Sequence, residues 1–175
     1  MACDALKRGR AKACKKHTGG VSKLYLFNFL EDSFTINEFG EVTSMNVLLT
    51  EAFEYDLTGD GQVLTEDGIG DDSAGTFVVT QTTTAILQGL DFETSNEMKA
   101  VAGDKPIAIV RTKDNKYLLV GDTEGINFNP ATTTGTTQGE FNGYTLVGTS
   151  FENKLAPHLD ESTITSFLEI VVANP

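Results

Sequence analysis

The segment DLTGDGQVLTED, residues 56–67, sets oxygen-bearing side chains at the spacing of a calcium loop. A twelve-residue EF-hand loop needs such ligands at regular positions, with a glycine at the sixth for its sharp turn. Asp56, Thr58, Asp60, Gly61 and Asp67 fall on the first, third, fifth, sixth and twelfth positions. Two of these depart from the pattern: the third is Thr, and the twelfth is Asp, a methylene shorter than the bidentate Glu. The flanks argue more strongly against it. An EF-hand loop joins two helices, whereas EAFEY before it alternates like a strand and GIGDDSAG after it is too glycine-rich for a helix. The expectation is a tight hairpin turn at Asp60-Gly61. Asp56, Asp60 and Asp67 remain a weak calcium candidate, within an acidic cluster that adds Glu66, Asp71 and Asp72.

Other chemistry-bearing residues are sparse. Cys3 and Cys14 have ten residues between them and only His17 nearby, which is not a zinc-ligand spacing. GIGDDSAG is not a dinucleotide fingerprint, because a strand rather than a helix is expected after it. The chain has no P-loop and no nucleophile elbow. His158 follows Pro157 near the end, and no neighbouring spacing makes it the base of a Ser-His-Asp arrangement. No catalytic residue, cofactor or resident metal is expected, and the chain is not expected to be an enzyme.

The elements that would carry any site are mainly β. KLYLFNF (23–29) and EAFEYDL (51–57) are strand-like, and FTINEFGEVTSMNVLL (34–49) reads as a hairpin about Gly40. SAGTFVVTQTTTAILQGL (73–90) is a long strand rich in Thr and Val. The period then changes: Met98, Val101 and Ala102 predict one helix over residues 94–102, capped by Thr94 or Ser95 and ended by Gly103. KPIAIVRT and KYLLVGD flank a KDN turn, and Asn142-Gly143 opens another strand. STITSFLEIVV (162–172) reads as one or two final strands. The fold class expected is a β-sandwich or β-barrel with that single helix and an extended basic N-terminal arm. The arm would span residues 1–20, hinged at Gly19-Gly20, and one β-rich domain residues 21–175.

Charge separates these two parts. The 175-residue chain has a net charge of −12, yet residues 1–23 hold seven of its thirteen Lys and Arg and one of its twenty-five acids. The segment therefore carries +6 and the remainder −18. Lys7, Arg8, Arg10, Lys12, Lys15 and Lys16 can meet an acidic partner, either nucleic acid or the acidic body of a neighbouring copy. A body of −18 repels DNA, which favours the neighbouring copy. No apolar run approaches the roughly 18 residues that cross a bilayer, so no membrane is expected. The basic start lacks an apolar signal core, which points to synthesis in a cytoplasm.

The stretch PIAIVRTKDNKYLLVGDTEGINFNPATTTGTTQGEFNGYTLVGTSFENKLAPHL, residues 106–159, resembles structural proteins of tailed bacteriophages, the tail-tube type and its neck and baseplate relatives. The likeness lies in a strand pair about a short turn, a Gly/Thr-rich loop, and then Phe141-Asn142-Gly143-Tyr144-Thr145-Leu146 with Gly148 and Glu152 following. The preceding helix TSNEMKAVAG and the order of basic piece, Gly-Gly and aromatic strand fit as well. The resemblance implies a virion protein made in the host cytoplasm, without enzymatic activity, that closes through sheet edges into rings of six copies stacked head to tail. Such rings would form a tail tube through which DNA passes without specific binding, or a neck ring or baseplate beside other virion proteins.

Edge closure agrees with the bottom-up reading, since many strands in a modest chain leave edges to cover. Candidate intersubunit segments are the arm and the loop at 126–140, with Thr132, Thr133, Thr134, Thr136 and Thr137. Deleting residues 2–18 is expected to block polymerisation and leave the monomer folded. Two other classes compete: a glycan- or cell-surface-binding β-sandwich, poorly equipped with no Trp and four Tyr, and a calcium-dependent module on residues 56–72.

Overall fold

The computed structural model describes residues 9–11, 15–57 and 59–172. Twelve strands and two helices follow one another among them. Their order is β1 Val21–Phe27, β2 Phe34–Ile36, β3 Glu41–Met45, β4 Ala52–Asp56, β5 Val63–Asp71, β6 Thr76–Gln88, α1 Phe92–Gly103, β7 Ile107–Thr112, β8 Tyr117–Val120, β9 Asn127–Thr133, β10 Gly143–Glu152, β11 His158–Leu159, α2 Glu161–Leu168 and β12 Val171–Val172. An eight-stranded sheet runs β12-β4-β1-β7-β8-β11-β3-β2, and a four-stranded sheet runs β5-β6-β10-β9.

The centre of the large sheet is buried on both faces, which is why β1 and β7 read as nearly unbroken apolar runs. Leu24 and Leu26 of β1, Ala108 and Val110 of β7, and Val120 of β8 form one buried cluster with Ala85, Phe128, Tyr144 and Leu146 of the small sheet and Met98 of α1. This cluster lies between the two sheets. The alternate residues Tyr25, Phe27, Ile107, Ile109 and Leu119 turn to the other face and pack with Phe167 of α2. Period two along each strand thus fills two cores from one set of strands.

Helix α2 overturns the expectation of a strand at 162–172. Asp160 caps it, its Oδ1 accepting from the backbone N–H of Thr163 at 2.7 Å. Phe167 is fully buried, edge-to-face against Tyr25 at 5.1 Å and Tyr117 at 5.6 Å. Burying such a ring contributes about 1.5–3 kcal/mol, enough to override the β propensity of Thr163, Ile164 and Thr165. Among the described residues the fold therefore has two helices rather than one. Helix α1 begins earlier than expected, and its cap is Asp91 rather than Thr94 or Ser95; Asp91 accepts from the Thr94 backbone N–H at 2.6 Å.

A second correction concerns Asp60-Gly61. The pair is no hairpin turn: β4 and β5 belong to different sheets, and the link is a crossover between them. Gly59 and Gly61 both take positive φ, 92° and 98°, which lets the chain change direction twice within three residues. The hairpin forms one strand later, through residues 72–75 between β5 and β6.

Candidate assembly surface

The three calcium candidates are spread along this path. Asp56 ends β4, and its Oδ1 lies 3.2 Å from Lys23 Nζ, which also donates to Glu54 at 2.6 Å. The hydrogen bond to Glu54 chiefly holds the Lys23 ammonium above its ordinary pKa. Asp60 sits in the crossover, 3.6 Å from Lys113 Nζ. Asp67 lies mid-strand in β5. Thr58 lies outside the described residues. No group of three metal-type ligands occurs among the described residues.

Of the arm, Lys7, Arg8 and Lys12, and with them Cys3 and Cys14, lie outside the described residues. Arg10, Lys15 and Lys16 are exposed, and none forms an ion pair among the described residues. The root of the arm is pinned to the β7–β8 turn. Asp114 accepts from the Thr18 backbone N–H at 2.7 Å and bonds His17 Nδ1 at 2.9 Å. The Thr18 N–H, then His17, holds the Asp114 carboxyl below its ordinary value. The Lys113 N–H donates to the Gly20 carbonyl at 3.0 Å, closing the hinge.

The Thr-rich segment divides. Thr132 and Thr133 end β9, the edge strand beside β10. Thr134, Thr136 and Thr137 belong to the loop that follows, where Glu140 Oε2 accepts from the backbone N–H groups of Thr136 and Thr137. This loop folds on itself. Pro130 interrupts the β9 edge, a residue that edge strands use to discourage pairing.

The two sheets end differently. The large sheet is bounded by β12 and β2, two and three residues long. The small sheet is bounded by β5 and β9, nine and seven residues long, with no strand on their outer sides among the described residues. Strand β6 also outruns its neighbour. Its last pairing with β10 is Val79 with Glu152, whereas it pairs with β5 as far as Thr76 with Asp71. Beyond Val79 the β5–β6 ribbon therefore has two open edges. It carries Ile69, Phe77 and Val78, exposed to 69%, 53% and 42%, with Phe151 at the end of β10 exposed to 59%. Ile69 and Val78 are cross-strand partners on one face; Phe77 lies on the other, over Gly68 and Gly70. Phe39, Val47, Leu48 and Phe92 are also exposed, but in turns and at the start of α1.

Behind the ribbon, a polar plug fixes the small sheet to the large one. Gln81 is buried; it donates to Glu66 Oε1 at 3.1 Å and accepts from the Gly121 N–H at 3.2 Å and Ser150 Oγ at 3.1 Å. Glu66 Oε1 accepts the Ala156 N–H, and buried Glu152 accepts from the N–H and hydroxyl of Thr123. These bonds tie β5, β6 and β10 to the segments that follow β8 and β10, short of the point where the overhang begins.

Ile69, Phe77, Val78 and Phe151 escape sequence reasoning, because alternation in a strand does not say where its neighbour stops. The run TFVV after a glycine-rich turn is the one signal, three apolar side chains in succession beside a tip too polar to cover them. No helix among the described residues is long and apolar enough to cross a membrane. No family, no curated protein and no solved structure matches the chain.

Proposed function

We propose that the chain is a non-enzymatic structural subunit of a bacteriophage virion. It assembles through the edges of a β-sandwich into rings of six copies, and the rings stack as the tail tube through which DNA passes. The observation that carries this reading is the overhanging β5–β6 ribbon, open at both edges and apolar on both faces. A two-stranded ribbon in water has too little burial to hold itself, and an open apolar edge is a template for another strand. A neighbouring copy supplies the missing cover. The phage assignment itself comes from the resemblance of residues 106–159. The −18 of the body suits a channel wall that DNA slides past.

Electron microscopy of the purified chain at rising concentration tests the proposal. Rings that stack into tubes are expected. Isolated rings that never stack would turn the reading towards a neck ring or baseplate of the same virion. Single particles at every concentration and salt would overturn it.

A further inference from the structure

Two adjoining clefts of about 250 and 380 Å³ share Phe53, Tyr55 and Glu97 and form one groove between α1 and β4. Its floor is apolar, made by Leu26, Phe53, Tyr55, Ala100, Val101 and Pro106. Its α1 rim is acidic, with Asp91, Glu97 and Asp104, while Glu54 and Asp56 on the β4 rim are paired with Lys23. No Lys or Arg lines it among the described residues. The floor is left open because α1 buries only Met98. Tyr55 crosses the groove and donates to Glu97 Oε2 at 3.3 Å.

We propose that this groove receives the basic N-terminal arm of a second copy of the chain. The proposal rests on the assembly reading and names one contact within it. The charges match: the segment ALKRGRAKACKK, residues 5–16, interleaves six Lys and Arg with Ala5, Leu6, Ala11, Ala13 and Cys14. Small apolar residues meet the floor while cations meet the acidic α1 rim, and long Lys and Arg stems add apolar cover. The assembly reading assigns the arm to a second copy, and mixing charge-reversed variants of arm and groove distinguishes it from the arm of the same copy, whose root lies at the β7–β8 turn.

Charge exchange in the full chain tests this. Two variants are needed: Glu97→Lys with Asp104→Lys in the groove, and Lys12→Glu with Lys15→Glu and Lys16→Glu in the arm. Both sets lie at exposed or terminal positions, and circular dichroism checks that each variant is folded. Each variant alone is expected to lose assembled species by about tenfold or more in sedimentation velocity, two surface ion pairs being worth roughly that factor. Mixed in equal amounts they should assemble again, because each reversed arm then meets a reversed groove on the other chain. Full assembly by either variant alone overturns the proposal and leaves the assembly reading standing. Loss in both without recovery on mixing overturns it too, since a contact within one copy behaves that way. A wild-type chain that never assembles removes both. Should a variant fail to fold, a synthetic peptide of residues 1–16 added to wild-type protein serves instead. It should cap growth, whereas the same peptide with every Lys and Arg replaced by Ser should not; equal effects of the two peptides, or none from either, overturn the proposal.

Discussion

Thr83 presents a hydroxyl to the space between the sheets, 1% exposed and without a hydrogen-bond partner among the described residues. An unpaired buried hydroxyl costs about 1–3 kcal/mol. Thr83→Val removes the oxygen at constant shape, so it should stabilise the monomer by roughly 1 kcal/mol in urea unfolding; a loss of stability would mean that the hydroxyl is satisfied. Directly across from it on β10, Gly148 leaves room for other side chains. A Cβ there would sit 2.5 Å from a Phe128 ring carbon and 2.6 Å from Ile126. Gly148→Ala should therefore destabilise by about 1–3 kcal/mol through overpacking, read in the same titration. Acid acts at other single residues. Thr94 hydrogen bonds hold the Asp91 carboxyl below its ordinary 3.8, and Ser73 does the same for Asp71. A carboxyl depressed on folding lends stability that is full above its unfolded pKa and is lost as pH falls through the folded one. The melting temperature should thus hold steady down to about pH 4 and drop below it. Asp91→Asn, which keeps the cap without the charge, should flatten part of that drop.

At the scale of elements, what could be read from the chain was whatever a strand shows by itself. Leu24 to Phe27 and Ile107 to Val110 are apolar in succession because both faces are covered, and the KDN turn leaves β7 and β8 no alternative to pairing. Helix α2 was hidden for the opposite reason. Asp160 followed by Glu161 is a helix start in the sequence, but Thr163, Ile164 and Thr165 pull towards strand. Only a sheet face ready to receive Phe167 decides between them, and that face is assembled from β1 and β8 far away in sequence. The overhang was hidden more completely, since it exists only as the difference in length between β6 and its partner β10 in a given register. Likewise, the arm's charge is plain in the sequence, whereas the acidic groove draws its carboxylates from β4, α1 and their flanks. The overhang makes its own prediction. Ile69→Lys with Val78→Glu places an opposite-charge cross-strand pair on a ribbon that the monomer leaves in water, so unfolding should change by no more than about 0.5 kcal/mol. Assembly, which needs that ribbon covered, should vanish from electron micrographs. Unchanged rings would remove the ribbon from the interface.

For the whole molecule, two kinds of contact are expected to act together, and salt separates them. The arm carries +6 through residue 23 and the body −18, so the proposed attraction between copies is electrostatic. At 1 M salt the screening length falls to about 3 Å, which removes most of it. The proposed ribbon contact is apolar, and sulfate strengthens apolar burial by exclusion from the surface. Light scattering should therefore show assembly slowing as sodium chloride rises and recovering when ammonium sulfate replaces it at equal ionic strength. Removing residues 2–14 tests which part of the chain reports the salt. The truncation stops short of residue 18, because His17 and Thr18 hold Asp114 and their loss would disturb the β7–β8 turn. The shortened chain should melt with the full one, assemble only at higher concentration or in sulfate, and respond to sodium chloride much less steeply, since four of the seven basic residues are gone. A shortened chain that slows with sodium chloride as steeply as the full one would show that the attraction between copies resides in the body alone.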